Sequence, residues 1–185
     1  SFNRYHLPFV LQRPATFEVK TIYARHINHD VWAQIPGVEY TTDLEQLLND
    51  PDIDMVVTAT PHQVHHQYAK MVLEHGKHCL VEKPFTQTAK EAQELFELAK
   101  QKGLVLSAYQ NRRYDSDFLT VQKVIESQKL GDMLEIEMHF DYYRPEIPEA
   151  AHEFNPDASY LYGHGCHTLD QVISYFGKPE RINYD

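Results

Sequence analysis

Three short apolar runs separated by two helix-patterned segments constrain this chain more than any other feature. Asp54-Met-Val-Val-Thr-Ala-Thr60, Cys79-Leu-Val81 and Leu104-Val-Leu-Ser-Ala108 are short and apolar, the form taken by strands buried on both faces. Between the first two, Pro61-His62 opens a helix carrying Val64, Tyr68, Met71, Val72 and Leu73, and Gly76 closes it at the C′ position. Between the second and third, Thr88 caps a helix with Ala92, Leu95, Phe96 and Leu98-Ala99 inward, and Gly103 ends it. Alternation of strand and helix every roughly 25 to 30 residues is the pattern of βαβ units and a parallel sheet. Upstream, Phe17 to Ala24 alternates like a strand and Val38 to Thr41 is a short strand candidate. Thr42 or Asp43 caps a helix with Leu44, Leu47 and Leu48 on one face, and Asn49 to Asp52 is a turn. Phe2 to Leu11 reads as an amphipathic helix that Pro14 ends.

The run through Val81 stops at Glu82-Lys83-Pro84. Burying unpaired charge costs several kcal/mol in rough terms, so a core strand has no use for such an ending. In an open parallel sheet, however, the carboxyl ends of the strands are where ligands bind. Lys83 is therefore a candidate catalytic residue, with a surface ion pair at a strand end as the bland alternative. Lysine suits such a place because its pKa drops readily on partial burial.

Composition bounds the partners. With 42% hydrophobic and 24% charged residues the chain builds a core. A formal charge of −10 argues against nucleic acid and anionic membranes as partners. No apolar run approaches the roughly 20 residues that span a bilayer, and no signal-peptide pattern opens the chain. Two cysteines, Cys79 and Cys166, supply no disulfide framework; a cytoplasmic location is expected.

Beyond Tyr109 the pattern changes. A helix spans about Asp117 to Ser127, and Met133 to Tyr143 alternates apolar and polar over a long span, as one half-exposed strand of an antiparallel sheet would. A further helix runs from about Cys166 to Tyr175. The boundary between an N-terminal domain (1–110) and a second domain (111–185) is expected here.

Four stretches carry a resemblance. Val72-Leu-Glu-His-Gly-Lys-His-Cys-Leu-Val-Glu-Lys-Pro84 resembles the signature of the Gfo/Idh/MocA oxidoreductases, the glucose–fructose oxidoreductase and inositol dehydrogenase superfamily. Asp52 to Pro61 with His65 is similar to the preceding strand and helix of that family. Gln110-Asn-Arg-Arg-Tyr114 resembles its passage into the second domain, and Gly165-Cys-His167-Thr-Leu-Asp170 its later helix start. The stretches lie in the family's order and at its spacings over nearly the whole chain.

The resemblance implies an α/β fold: a Rossmann-like doubly wound parallel sheet followed by an α/β domain with a large open, mostly antiparallel sheet. Measured against it, the chain lacks the first strand and the Gly-rich turn, and most of the second sheet is missing after Asp185. The 185 residues are thus expected to be a fragment without the pyrophosphate grip.

The implied activity is NAD(P)-dependent hydride transfer to or from a sugar, polyol or keto derivative, in a homo-oligomer (dimer or tetramer). The same resemblance gives Lys83 a contact to the nicotinamide ribose and makes Glu82 a binder or orienter of nearby hydroxyls. It makes His167 the general acid/base, the alternative being a histidine hydrogen-bonded for structure at a helix start. Asp170, three residues on, orients His167, accepts a substrate hydroxyl, or is a first-turn acid favoured by the helix dipole. Sugar and inositol dehydrogenases of the family carry an Asp four residues before this histidine; here Gly163 stands there. Asp170, His164 or Tyr162 would then have to substitute.

NAD-preferring members place an acid after the second strand to hold the adenosine ribose. Tyr23-Ala-Arg25-His26 supplies a guanidinium instead, which favours NADP over NAD. Thr60, Pro61 and His62 are candidates for the cofactor's ribose and phosphates. Asn111, Arg112 and Arg113 are candidates for the nicotinamide or substrate, the two arginines alternatively for salt bridges, and Tyr142 and Tyr143 for a sugar-stacking wall or the sheet face. His62, His65 and His66, and His164, Cys166 and His167, have spacings that suit metal ligation, but neither group brings a fourfold shell, so no metal is expected. Two further readings remain: a cofactor-binding regulator without turnover, kept alive by Gly163, and an NAD-dependent glycoside hydrolase.

Overall fold

The computed structural model describes residues 6–27, 35–141, 143, 159 and 161–183. Its contacts fall into two compact units, Ser1–Ala108 and Tyr109–Asp185.

The first unit is built on two parallel ladders. β1 (Thr21–Tyr23) pairs with β2 (Glu39–Thr41), Ile22 opposite Tyr40. β3 (Met55–Thr58), β4 (His78–Val81) and β5 (Leu106–Ala108) form the second ladder in that order, with Val57 opposite Leu80 and Leu80 opposite Ser107. In the doubly wound order 3-2-1-4-5-6 the ladders correspond to 3-2 and to 4-5-6, and they are not hydrogen-bonded to each other. β3 and β5 are shorter than the apolar runs that announce them, whereas β4 begins one residue before its run. An extended segment is a strand only where a neighbour's backbone answers it: all four residues of β4 pair with β3 and three of them with β5.

Helices cross between the strands with the expected punctuation. The Asp43 side chain, rather than that of Thr42, accepts from the Glu45 amide at 3.0 Å and starts α2 (Leu44–Asn49), which follows a short α1 (Leu7–Leu11). A 3₁₀ turn (His62–Val64) leads into α3 (His65–Glu74). Before α4 (Ala89–Lys102), Thr88 Oγ1 accepts from the Glu91 amide while Glu91 accepts from the Thr88 amide, a reciprocal capping box. α4 closes at Gly103, whose φ of +67° is the left-handed value that glycine adopts without a Cβ penalty.

Leu48 from α2, Val72 and Leu73 from α3, Cys79 and Val81 from β4, and Leu95 and Ala99 from α4 make one core. Phe96 is not part of it: the inward stripe of α4 is Leu95 and Ala99, and Phe96 is 48% exposed. One step along a helix is about 100° of rotation, which swings Phe96 out to meet Phe85 in a tilted ring pair, centroids 5.3 Å apart. Lys77 is buried as well, and its ammonium donates to the Asp50 and Ile53 carbonyls at 2.6 and 2.8 Å, which offsets its lost hydration.

The second unit holds a 3₁₀ turn (Asn111–Tyr114), α5 (Ser116–Glu126), a π-helical turn (Leu161–Gly165) and α6 (Cys166–Phe176). Phe118 of α5 is buried edge-on against Tyr175 of α6 at 6.4 Å, and Gln171 of α6 donates to the Arg112 carbonyl at 2.7 Å. The antiparallel sheet expected here is not formed among the described residues: 133–141 runs as an unpaired segment. Its alternation survives only in the half-burial of Met138 and Phe140, and residues 138–141 together line a cleft of about 400 Å³ with Arg112, Phe118, Val121 and Gln171. Alternating polarity suits a strand, but only partner backbone makes one.

Candidate functional site

At the carboxyl edge of the first unit's sheet, neighbouring strands β3 and β4 deliver two sequence-nominated segments side by side. β3 leads to Thr60-Pro61-His62, and there the Thr60 hydroxyl and His62 Nε2 are buried with no hydrogen-bond partner among the described residues. Buried polar atoms are normally paired, so such a pair at a ligand-binding edge suits the polar groups of a nucleotide. Pro61 is exposed.

β4 leads to Glu82-Lys83-Pro84, where the Lys83–Pro84 bond is cis and Lys83 is half-buried. The Glu82 carboxylate is held from both sides, by His6 Nε2 at 2.6 Å and by the Lys83 amide, which donates to it at 3.1 Å. Arg25, two residues past β1, is exposed.

Burial by itself pushes the Glu82 carboxyl up, but the bonds from His6 and the Lys83 amide outweigh it and hold the group below its ordinary 4.5. A depressed carboxyl contributes its full stabilisation above the unfolded value and loses it as pH falls through the folded one. Glu82→Gln is therefore expected to flatten the acid limb of stability below pH 4.5. Urea melts across that range check it; an unaltered limb would remove the assignment.

In the second unit, Arg112 pairs with Asp115 at 3.0 Å and lies 5.2 Å over the Phe140 ring. Arg113 makes a two-pronged bond to Asp170, Nε to Oδ2 at 3.0 Å and Nη2 to Oδ1 at 2.5 Å. Asp170 is thus engaged by Arg113, a partner that the reading of Asp170 as an orienter, substrate acceptor or dipole-favoured acid did not include. His167 is buried in the first turn of α6. Asn111 and Tyr143 are exposed, and Tyr142 lies outside the described residues.

Gly163 is not a steric necessity, since a Cβ there would meet nothing within 4 Å.

The histidine clusters do not converge on a metal. His65 is taken by two carbonyls and His66 by Glu94, and no group of three His, Cys, Asp or Glu able to hold an ion occurs among the described residues. Burial pushes the Cys79 thiol up to about 12, which leaves it unreactive. No helix among the described residues is long and apolar enough to cross a membrane. Sequence reasoning missed His6 as the partner of Glu82 and missed the buried, unpartnered Gln110 Oε1; both depend on contacts that no local pattern encodes.

The family model for the oxidoreductase family with an NAD-binding Rossmann fold matches residues 1–110, and that of the GFO/IDH/MocA C-terminal domain matches residues 118–185. The chain belongs to the Gfo/Idh/MocA oxidoreductase family. Its first unit is the family's Rossmann fold in the α/β class. Among relatives, the uncharacterized oxidoreductase YhhX of Escherichia coli is 50% identical over 186 residues, covering 100% of this chain and 53% of that protein. The solved structure of a probable oxidoreductase yhhX superimposes with a TM-score of 0.90 at 50% identity, covering 97% of this chain and 52% of that one. The scyllo-inositol 2-dehydrogenase (NADP(+)) IolW of Bacillus subtilis is 37% identical over 154 residues, 83% of this chain and 43% of that protein. The chain thus spans about half the length of the curated relatives it matches.

Proposed function

We propose that the protein is an NAD(P)-dependent oxidoreductase acting on a CH–OH group of a sugar, polyol or keto derivative, with NADP preferred. The observation that carries this reading is the buried, unpartnered Thr60 hydroxyl and His62 Nε2 on the sheet edge where Lys83 follows the adjacent strand. Thr60, Pro61 and His62 bind the cofactor's ribose and phosphates, Arg25 takes a 2′-phosphate, and Asn111 and Arg112 complete the cofactor contacts. Bound nicotinamide supplies or accepts the hydride. Lys83 holds positive charge beside the reacting oxygen and stabilises it as negative charge develops. Glu82, fixed by His6, keeps an ionised carboxylate beside that lysine. His167 takes the alcohol proton and returns it in the reverse direction. Asp170 and Arg113 act as one bonded unit in shaping the substrate site. The NADP-dependent scyllo-inositol dehydrogenase among the relatives supports both the substrate class and the cofactor.

A regulator that binds the cofactor without turnover is the second reading, favoured by Gly163 and by the engagement of Asp170 with Arg113. Binding of NADPH and NADH to the full-length protein, read by nicotinamide fluorescence, is the test of the cofactor site. A panel of sugars and polyols followed at the nicotinamide absorbance then separates the readings. Net hydride transfer ends the regulator; failure to bind either nucleotide ends the oxidoreductase.

A further inference from the structure

His65 is the most buried polar side chain at this edge, only 1% exposed, and none of the roles above uses it. Its ring lies between two backbone carbonyls: Nδ1 is 2.8 Å from the Pro84 oxygen and Nε2 is 2.9 Å from the Thr60 oxygen. Both neighbours can only accept, so a ring protonated on one nitrogen satisfies one carbonyl and a ring protonated on both satisfies the two.

The location matters because the ladder between β3 and β4 closes with the Glu82 amide donating to the Thr58 carbonyl at 3.0 Å. Beyond that bond the two strand ends continue as Ala59-Thr60 and Lys83-Pro84, and the His65 ring bridges them. One imidazole therefore grips the residue that bears the unpartnered Thr60 hydroxyl and the residue next to Lys83. Packing alone would not select this arrangement, since a leucine fills a similar volume without either bond.

We propose that His65 is a positioning residue that ties the ends of β3 and β4 together and so sets where the Lys83 ammonium stands relative to the bound cofactor. The inference rests on the oxidoreductase reading, and its test keeps the two apart. Acetylation of lysines by an N-hydroxysuccinimide ester is followed by mass spectrometry on the full-length protein with and without NADPH, with exposed Lys90 as the internal reference.

In the unsubstituted protein NADPH protects Lys83. In His65→Leu, which removes both bonds, most of that protection is lost. In His65→Gln, which keeps one donor, it is intermediate at a melting temperature close to that of the unsubstituted protein. Equal protection in all three overturns the positioning role while leaving the cofactor site intact. Absence of protection in the unsubstituted protein overturns the oxidoreductase reading and this inference with it. Where His65→Leu does not fold, His65→Gln decides: reduced protection supports the role, and undiminished protection overturns it.

Discussion

Lys83→Ala is expected to lower turnover by about two to three orders of magnitude in the full-length protein, the usual cost of removing one preorganised charge from a developing oxyanion. The loss should fall on kcat more than on KM, because an interaction that strengthens in the transition state is removed while ground-state binding is largely kept. Melting temperature should change little, since Lys83 is half-buried and in the loop after β4, outside the core. Steady-state kinetics on whichever panel substrate turns over, with a thermal melt on the same sample, checks both parts. Wild-type turnover in the alanine variant would sink the assignment of this lysine. A collapse of stability in parallel would show that it serves the fold instead. Lys83→Arg keeps the charge but not the compact ammonium geometry and is expected to recover only part of the rate.

The second large effect is thermodynamic. Leu73 of α3 is 0% exposed and sits among Leu48, Val72, Val81 and Leu95. Leu73→Ala should destabilise the first unit by about 2–5 kcal/mol, the transfer cost of the lost methyl groups plus that of the cavity they leave. That is a sizeable share of the total for a typical domain, roughly 5–15 kcal/mol. Val105→Ala, at a position 64% exposed in the same unit, should stay within about 0.5 kcal/mol. Urea unfolding followed by circular dichroism compares the two. Equal effects would mean that the core described around α3 does not carry the stability of this unit.

Much of the first unit is legible in the residues because its signals are local. The Thr88 capping box closes within four residues, Gly103 and Asp43 mark helix ends by their own conformational preferences, and apolar runs alternate with helix-spaced stripes at βαβ intervals. The position of Glu82-Lys83 at a strand's carboxyl end follows from the same pattern. Where an expectation failed, a longer-range condition was at work. Strand lengths were trimmed to the residues that a neighbouring strand pairs with, Phe96 was turned out by helix phase, and 133–141 alternates without a strand beside it.

By itself, then, the sequence determined the order of elements in the first unit, most of its helix ends and the parallel character of its sheet. Each of these depends on forces acting within a few residues or on one repeated period. Only the tertiary structure decided what the charged and polar groups bond to: His6 to Glu82 across 76 residues, Arg113 to Asp170 across 57, and His65 to the carbonyls of both Thr60 and Pro84. A side chain's polarity says that it needs a partner when buried. Which partner it meets depends on how distant segments are brought together, and that is a property of the packed chain.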